Sequence, residues 1–100
     1  MTSHPRHGLD DAFQTPIRFS LMAALREDAE MDFRMLREML ETSDSVLSKA
    51  IGHLEQLGYV RTVKGYVGSR PRTWAASTVT GRRAFRRHVA ALRAIADGGG

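Results

Sequence analysis

The chain has no cysteine in 100 residues. This excludes a disulfide scaffold, a thiolate metal site and thiol chemistry, and it fits a reducing, cytoplasmic setting. Long apolar runs are also missing. The longest, Leu21–Leu25, is far short of a membrane span or the apolar part of a secretory leader, so no membrane partner is expected. There is no phosphate-binding glycine loop, and the acidic residues are scattered over helix surfaces with no pocket implied. No enzyme signature results. The histidines, at 4, 7, 53 and 88, lack metal-ligand spacing, and neither a metal nor another cofactor is expected. No internal repeat is present.

Acid is scarce in one part of the chain only. Residues 1–60 carry six Lys and Arg against ten acids, a balance of −4, whereas residues 61–100 carry nine basic residues against Asp97 alone, a balance of +8. The overall figure of +4 therefore conceals a polar molecule that presents one basic region to a polyanion. Hydrophobic residues at 42% and charged residues at 26% are ordinary for a folded domain. A single domain this small buries only about two-thirds of its unfolded surface, and its stability can depend on a partner chain.

Local signals order the elements. Residues 1–8 are polar, with Pro5 and Gly8, and read as mobile; residues 97–100 read as a disordered tail. Thr15-Pro16 is an N-cap followed by proline at the first helical position, opening a helix expected over 16–28. Ile17, Leu21, Ala24 and Leu25 form one apolar face of it, and Phe19, Met22 and Ala23 another, so it is expected to lie between its own core and a second body. Asp32 caps a short second helix with Phe33, Leu36, Met39 and Leu40 inward. Ser43 caps a third, ending near Leu57 and closed by Gly58. Tyr59–Val67 and Thr73–Ala75 read as strands of a hairpin whose turn is Gly68-Ser69-Arg70-Pro71. Thr78 caps a last helix to about Ala96, with Gly81 weakening its first turn.

Helix, short helix, turn, helix and basic hairpin is the layout of a winged helix-turn-helix, a mainly α fold with a small β-hairpin wing. In the third helix Val46, Leu47, Ala50, Ile51, Leu54 and Leu57 gather on one side. Ser45, Ser48, Lys49, Gly52 and Gln56 gather on the other, with Asp44, His53 and Glu55 at the margins. A helix that is merely solvated usually carries Glu/Lys pairs outward. Small hydroxyl side chains instead suit close entry into a major groove. Gly52 is either drift at a tolerant position or a point where the helix approaches DNA too closely for a side chain. Lys64, Arg70 and Arg72, around Gly65, Gly68 and Pro71, suit phosphate contact or a narrow minor groove.

Leu47-Ser48 through Leu54-Glu55-Gln56-Leu57-Gly58-Tyr59-Val60 resembles the recognition-helix region of winged-helix regulators of the MarR/ArsR/PadR group. Arg70-Pro71-Arg72-Thr73 and Thr78-Val79-Thr80-Gly81-Arg82 look like the wing and last-helix start of small members, and Thr15-Pro16-Ile17-Arg18 is similar to their first-helix entry. The resemblance spans about residues 9–96. It implies a dimeric, cytoplasmic, prokaryotic DNA-binding regulator, more often a repressor than an activator. It places helix 43–57 in the major groove, with Ser43 at its cap and Ser45, Ser48, Lys49 and His53 facing bases, and wing 64–73 on phosphates or the minor groove. Ala75 and Ser77 stand where larger strand residues are common in that group, with Trp74 supplying the bulk.

A homodimer is expected through the first and last helices, using Phe19, Met22, Phe85, His88, Val89, Leu92 and Ile95, and reading a palindromic operator. The arginine run Arg82, Arg83, Arg86, Arg87 reads as a solvated back or a flanking DNA contact. The alternative from a different class is a winged helix that grips an acidic protein partner. The sequence identifies neither operator nor effector.

Overall fold

A computed structural model describes residues 3–27 and 29–98. Two 3-10 turns, Pro5–Gly8 and Asp11–Phe13, precede α1 (Pro16–Ala24), β1 (Met31–Asp32), α2 (Phe33–Met39), α3 (Asp44–Gln56), β2 (Val60–Val67), β3 (Arg70–Ser77) and α4 (Val79–Ala96). The sheet is antiparallel in the order β1-β3-β2. This is a winged helix-turn-helix with four helices and a three-stranded sheet.

The four expected caps form. Thr15, Asp32, Ser43 and Thr78 each accept a backbone N–H from the first turn of the helix they open, satisfying a donor that has no partner within the helix. At the other ends, α2 and α3 stop in the same way. Thr42 N–H bonds the Arg37 carbonyl and Glu41 N–H that of Glu38; Tyr59 N–H bonds the Leu54 carbonyl and Gly58 N–H that of Glu55. Both are Schellman closures with one residue at positive φ: Gly58 at 76° and, less comfortably for a side chain, Glu41 at 51°.

Three elements differ from expectation. Helix α1 ends at Ala24, short of Asp28, which lies outside the described residues. Its last carbonyls find other donors: Ser77 Oγ bonds the Leu25 carbonyl and Arg26 Nη1 that of Ala23 at 3.2 Å. The hairpin turn is only Gly68-Ser69, with Val67 opposite Arg70. Gly68 at φ 63° gives the type II′ pattern, so Arg70 and Pro71 belong to β3. Pro71 is tolerated because β1 pairs β3 only at Ala75 and Trp74, leaving that edge open farther out. Strand β1 itself has no sequence signal; two residues cannot show a period.

The core comprises Phe13, Leu21, Met22, Leu25, Leu36, Leu47 and Leu54, with Ala50, Ile51, Val60 and Ala75 around them. Met39 is 53% exposed rather than inward, because seven-residue α2 turns only Leu36 fully inside. Val46 and Leu57, also expected in the core, are 44% and 48% exposed. The second face of α1 is covered by the chain itself. Met22 is fully buried in the core, and Phe19 packs on Phe85 and His88 of α4.

Residues 5–8, read as mobile, form a 3-10 turn against α4, with Gly8 so close to Ala91 that an added β-carbon would stand 3.2 Å from the Ala91 β-carbon. Asp10 fastens the segment. Its N–H bonds His88 Nδ1 at 2.9 Å and its carboxylate accepts the Tyr59 hydroxyl at 2.7 Å. Phe13 stacks on Tyr59 and meets Phe85 and His88 edgewise. His88 is thus a core residue, with burial pushing its pKa below the usual histidine value. The hydrogen bond from Asp10, with burial, raises that of Tyr59. Of the tail, Asp97 and Gly98 form a turn after α4, while residues 99 and 100 lie outside the described residues.

Gly81 is required rather than merely tolerated. A β-carbon there would fall 2.1 Å from the Tyr59 carbonyl oxygen, so the root of α4 rests on the backbone just after α3. Thr78 tightens the same junction, its N–H bonding the Tyr59 carbonyl at 3.0 Å and its hydroxyl the Gly58 carbonyl at 2.6 Å.

Candidate nucleic-acid interface

Helix α3 is held from behind by Leu47, Ala50, Ile51 and Leu54, and this fixes which side chains face outward. Ser45, Ser48, Lys49, His53 and Gln56 are exposed, and Gly52 is half-buried. Ser43 is also exposed, but its hydroxyl is engaged by Val46 N–H at 3.1 Å as the cap. A β-carbon at Gly52 would meet nothing within 4 Å, so no crowding inside the chain calls for glycine there.

The wing is tied to this helix. Thr62 Oγ1 donates to Glu55 Oε2 at 2.8 Å, which puts the Thr62 face of β2 toward α3. Strand alternation places Lys64 and Tyr66 on that same face, and Tyr66 is 73% exposed. Composition gave no reason to single out Tyr66; its isolation at the wing tip shows only in three dimensions. Arg70 is exposed beside the turn.

Arg72 is placed differently. It sits opposite Gly65, and its Nη1 lies 3.1 Å from Asp32 Oδ2, so the wing arginine nearest the body is paired with an acid. Trp74 closes over Gly65, where an added β-carbon would come within 3.1 Å of the indole. The small residues Ala75 and Ser77 are buried, and β1 covers the strand beside them.

An open cleft runs between these parts, lined by Arg34 and Arg37 of α2, Ser48 and Gly52 of α3, and Lys64 and Thr73 of the wing. Arg37 is held by Asp44 at 2.7 Å, a bond that also keeps the guanidinium more firmly protonated. Asp32, Asp44 and Glu55 also line the cleft, and the first two pair with Arg72 and Arg37, so the arrangement is an exposed, nearly neutral helix face beside a cleft of mixed charge.

The residues expected between subunits fall into two groups. Met22 and His88 lie inside the monomer and offer no surface to a partner; Met22 is part of the core, and Asp10, Phe13 and Phe19 close around His88. Phe19 and Phe85 are half-buried against each other. Leu92 at 39% and Ile95 at 37% are exposed, and half-buried Val89 joins Phe85 in a shallow groove with Arg26 and Arg86. Arg83, Arg86 and Arg87 are exposed, whereas Arg82 Nη1 bonds the Ser77 carbonyl at 3.0 Å. Among the described residues no group of three or more His, Asp or Glu could hold a metal, and no helix is long and apolar enough to cross a membrane.

Comparison with known proteins agrees with this geometry. Residues 17–96 match the model of the winged helix DNA-binding domain family. An uncharacterized protein of Methanocaldococcus jannaschii is 30% identical over 77 residues, 77% of this chain and 84% of that protein. A transcriptional regulator homologue from Pyrococcus horikoshii superposes with a TM-score of 0.80 at 29% identity, over 87% of this chain and 86% of that one. AbsC, a MarR family transcriptional regulator from Streptomyces coelicolor, superposes with a TM-score of 0.66 at 25% identity, over 89% of this chain and 66% of its own. With its helix-turn-helix, its wing and this match over most of its length, the chain belongs to the winged helix DNA-binding domain family and is built like the MarR-type transcriptional regulators.

Proposed function

We propose that the protein binds double-stranded DNA sequence-specifically as a homodimeric transcriptional repressor. The observation that carries this is the outward face of α3, where Ser45, Ser48, Lys49 and His53 are exposed beside Lys64 and Arg70 of the wing. The helix enters the major groove, where its short polar side chains reach base edges, and the wing lies on phosphates or the minor groove.

The monomer's shape supports the dimer. Its radius of gyration is 15.1 Å, against about 13 Å for a compact chain of this length. The chain is elongated, 59 × 24 × 19 Å, and its 18-residue α4 leaves Leu92 and Ile95 open. Pairing through α4 and Phe19 of α1 covers these residues and sets two recognition helices on successive major grooves of a palindromic site.

A salt titration of binding to random and promoter duplexes tests the DNA reading. About six to eight phosphate contacts per dimer give a steep log–log slope. Arg70→Ala weakens all duplexes alike, while Ser48→Ala or Lys49→Ala alters sequence preference. Absence of duplex binding at low salt returns the case to an acidic protein partner. Sedimentation of Leu92→Glu tests the interface, and a variant that stays dimeric refutes it.

A further inference from the structure

Val46 is the one strongly apolar side chain in the first turn of α3, and it is not in the core. It is 44% exposed, whereas its neighbour Leu47 is fully buried. At 100° per residue it lies on the flank of the helix, about 60° around from Lys49 and about 100° from Leu47, where the buried face meets the exposed one. Ser43 accepts its N–H at 3.1 Å, which fixes the backbone in the opening turn. A valine in a helix has essentially one χ1 rotamer, so its two methyls point in a set direction before any partner arrives.

We propose that Val46 is a specificity-determining residue that reads the C5 methyl of a thymine in the major groove. This rests on α3 being the recognition helix. The first turn of such a helix reaches deepest toward base edges, and thymine alone among the four bases offers a methyl there. The exposed polar neighbours Ser45 and Lys49 supply the hydrogen-bonding contacts around it. Leu57 is exposed as well, but it stands at the far end of the helix beside the wing root, away from that turn.

The test begins with enrichment of binding sites from a random duplex library by the full-length protein. Each thymine of the enriched duplex is then replaced singly by deoxyuridine, which keeps every hydrogen-bonding group and removes only the methyl. The expected result is one position per half-site where the replacement weakens wild-type binding about fourfold, the worth of one buried methyl. Val46→Ala is indifferent at that position, while Val46→Ile stays sensitive and covers the case of an alanine variant that fails to fold. If Val46→Ala keeps the wild-type deoxyuridine profile, the assignment is overturned and the recognition-helix reading survives. If the wild-type protein enriches no sequence, both are overturned.

Discussion

Asp32 joins the wing to the helix-turn-helix by serving two partners with one carboxylate. Its Oδ1 accepts the Arg34 N–H at 2.7 Å as the cap of α2, while Oδ2 lies 3.1 Å from Nη1 of Arg72. Asp32→Ala loses both and should cost about 1–2 kcal/mol. Arg72→Ala loses only a half-exposed ion pair and should cost about 1 kcal/mol or less. Urea denaturation of the two variants gives this order. In DNA titrations Arg72→Ala should weaken binding less than Arg70→Ala or Lys64→Ala, because Arg72 is already paired.

Two glycines in helices should respond oppositely to the same substitution. Gly81→Ala drives a β-carbon into the Tyr59 carbonyl, and neither backbone can yield cheaply. A loss of about 2 kcal/mol or more is expected despite alanine's better helix propensity. Gly52→Ala meets open space and should stabilise by about 1 kcal/mol. If the helix flank approaches DNA closely at residue 52, the more stable variant binds duplex more weakly. Thermal melts paired with a duplex titration read both effects.

The matched closures of α2 and α3 form an internal control. Glu41 holds a positive φ that glycine adopts freely, so Glu41→Gly should raise stability by about 1 kcal/mol. Gly58→Ala should lower it by a similar amount, all of it local backbone strain, because a β-carbon there meets no other part of the chain. Guanidinium midpoints that move in opposite directions bear this out; two shifts of the same sign do not.

His88 gives the fold a sensitivity to acid. Its pKa in the folded chain is held below the ordinary 6.5 by burial, and Nδ1 must stay unprotonated to accept from Asp10. The unfolded chain therefore takes up the extra proton. Stability from this group is complete above about pH 6.5 and declines as pH falls from there toward the lowered folded value. His88→Gln, which retains an acceptor without titrating, should lose less stability than wild type between about pH 7.5 and pH 5. Equal losses would mean that other groups carry the acid response.

The four helix starts were legible because each depends on a hydrogen bond within three residues, as at Thr15, Asp32, Ser43 and Thr78. What covers a helix is a different matter. Periodicity put Val46 and Leu57 on the apolar side of α3, but it does not report how wide a sector the rest of the chain covers. Met22 and His88 read as surface for a partner because periodicity on α1 and α4 does not show that the core closes over Met22, or that Asp10 and Phe13 reach His88. Gly81 read as a weakness in a helix, since its reason is a carbonyl at residue 59. Long-range contacts of this kind leave no local pattern.

Helix α4 is 18 residues, about 27 Å along its axis, and is seated on the backbone of Tyr59 at one end. It is thus a lever with its fulcrum at the exit of α3. A tilt of about 10° at that seat carries Leu92 and Ile95, about 17 and 21 Å farther along, through about 3–4 Å. The fulcrum is backbone against backbone, so a displacement imposed at the far end is felt where α3 closes. Residues 8–13 and Phe19 pack along α4 at Ala91, His88 and Phe85, so any such tilt must carry them with it.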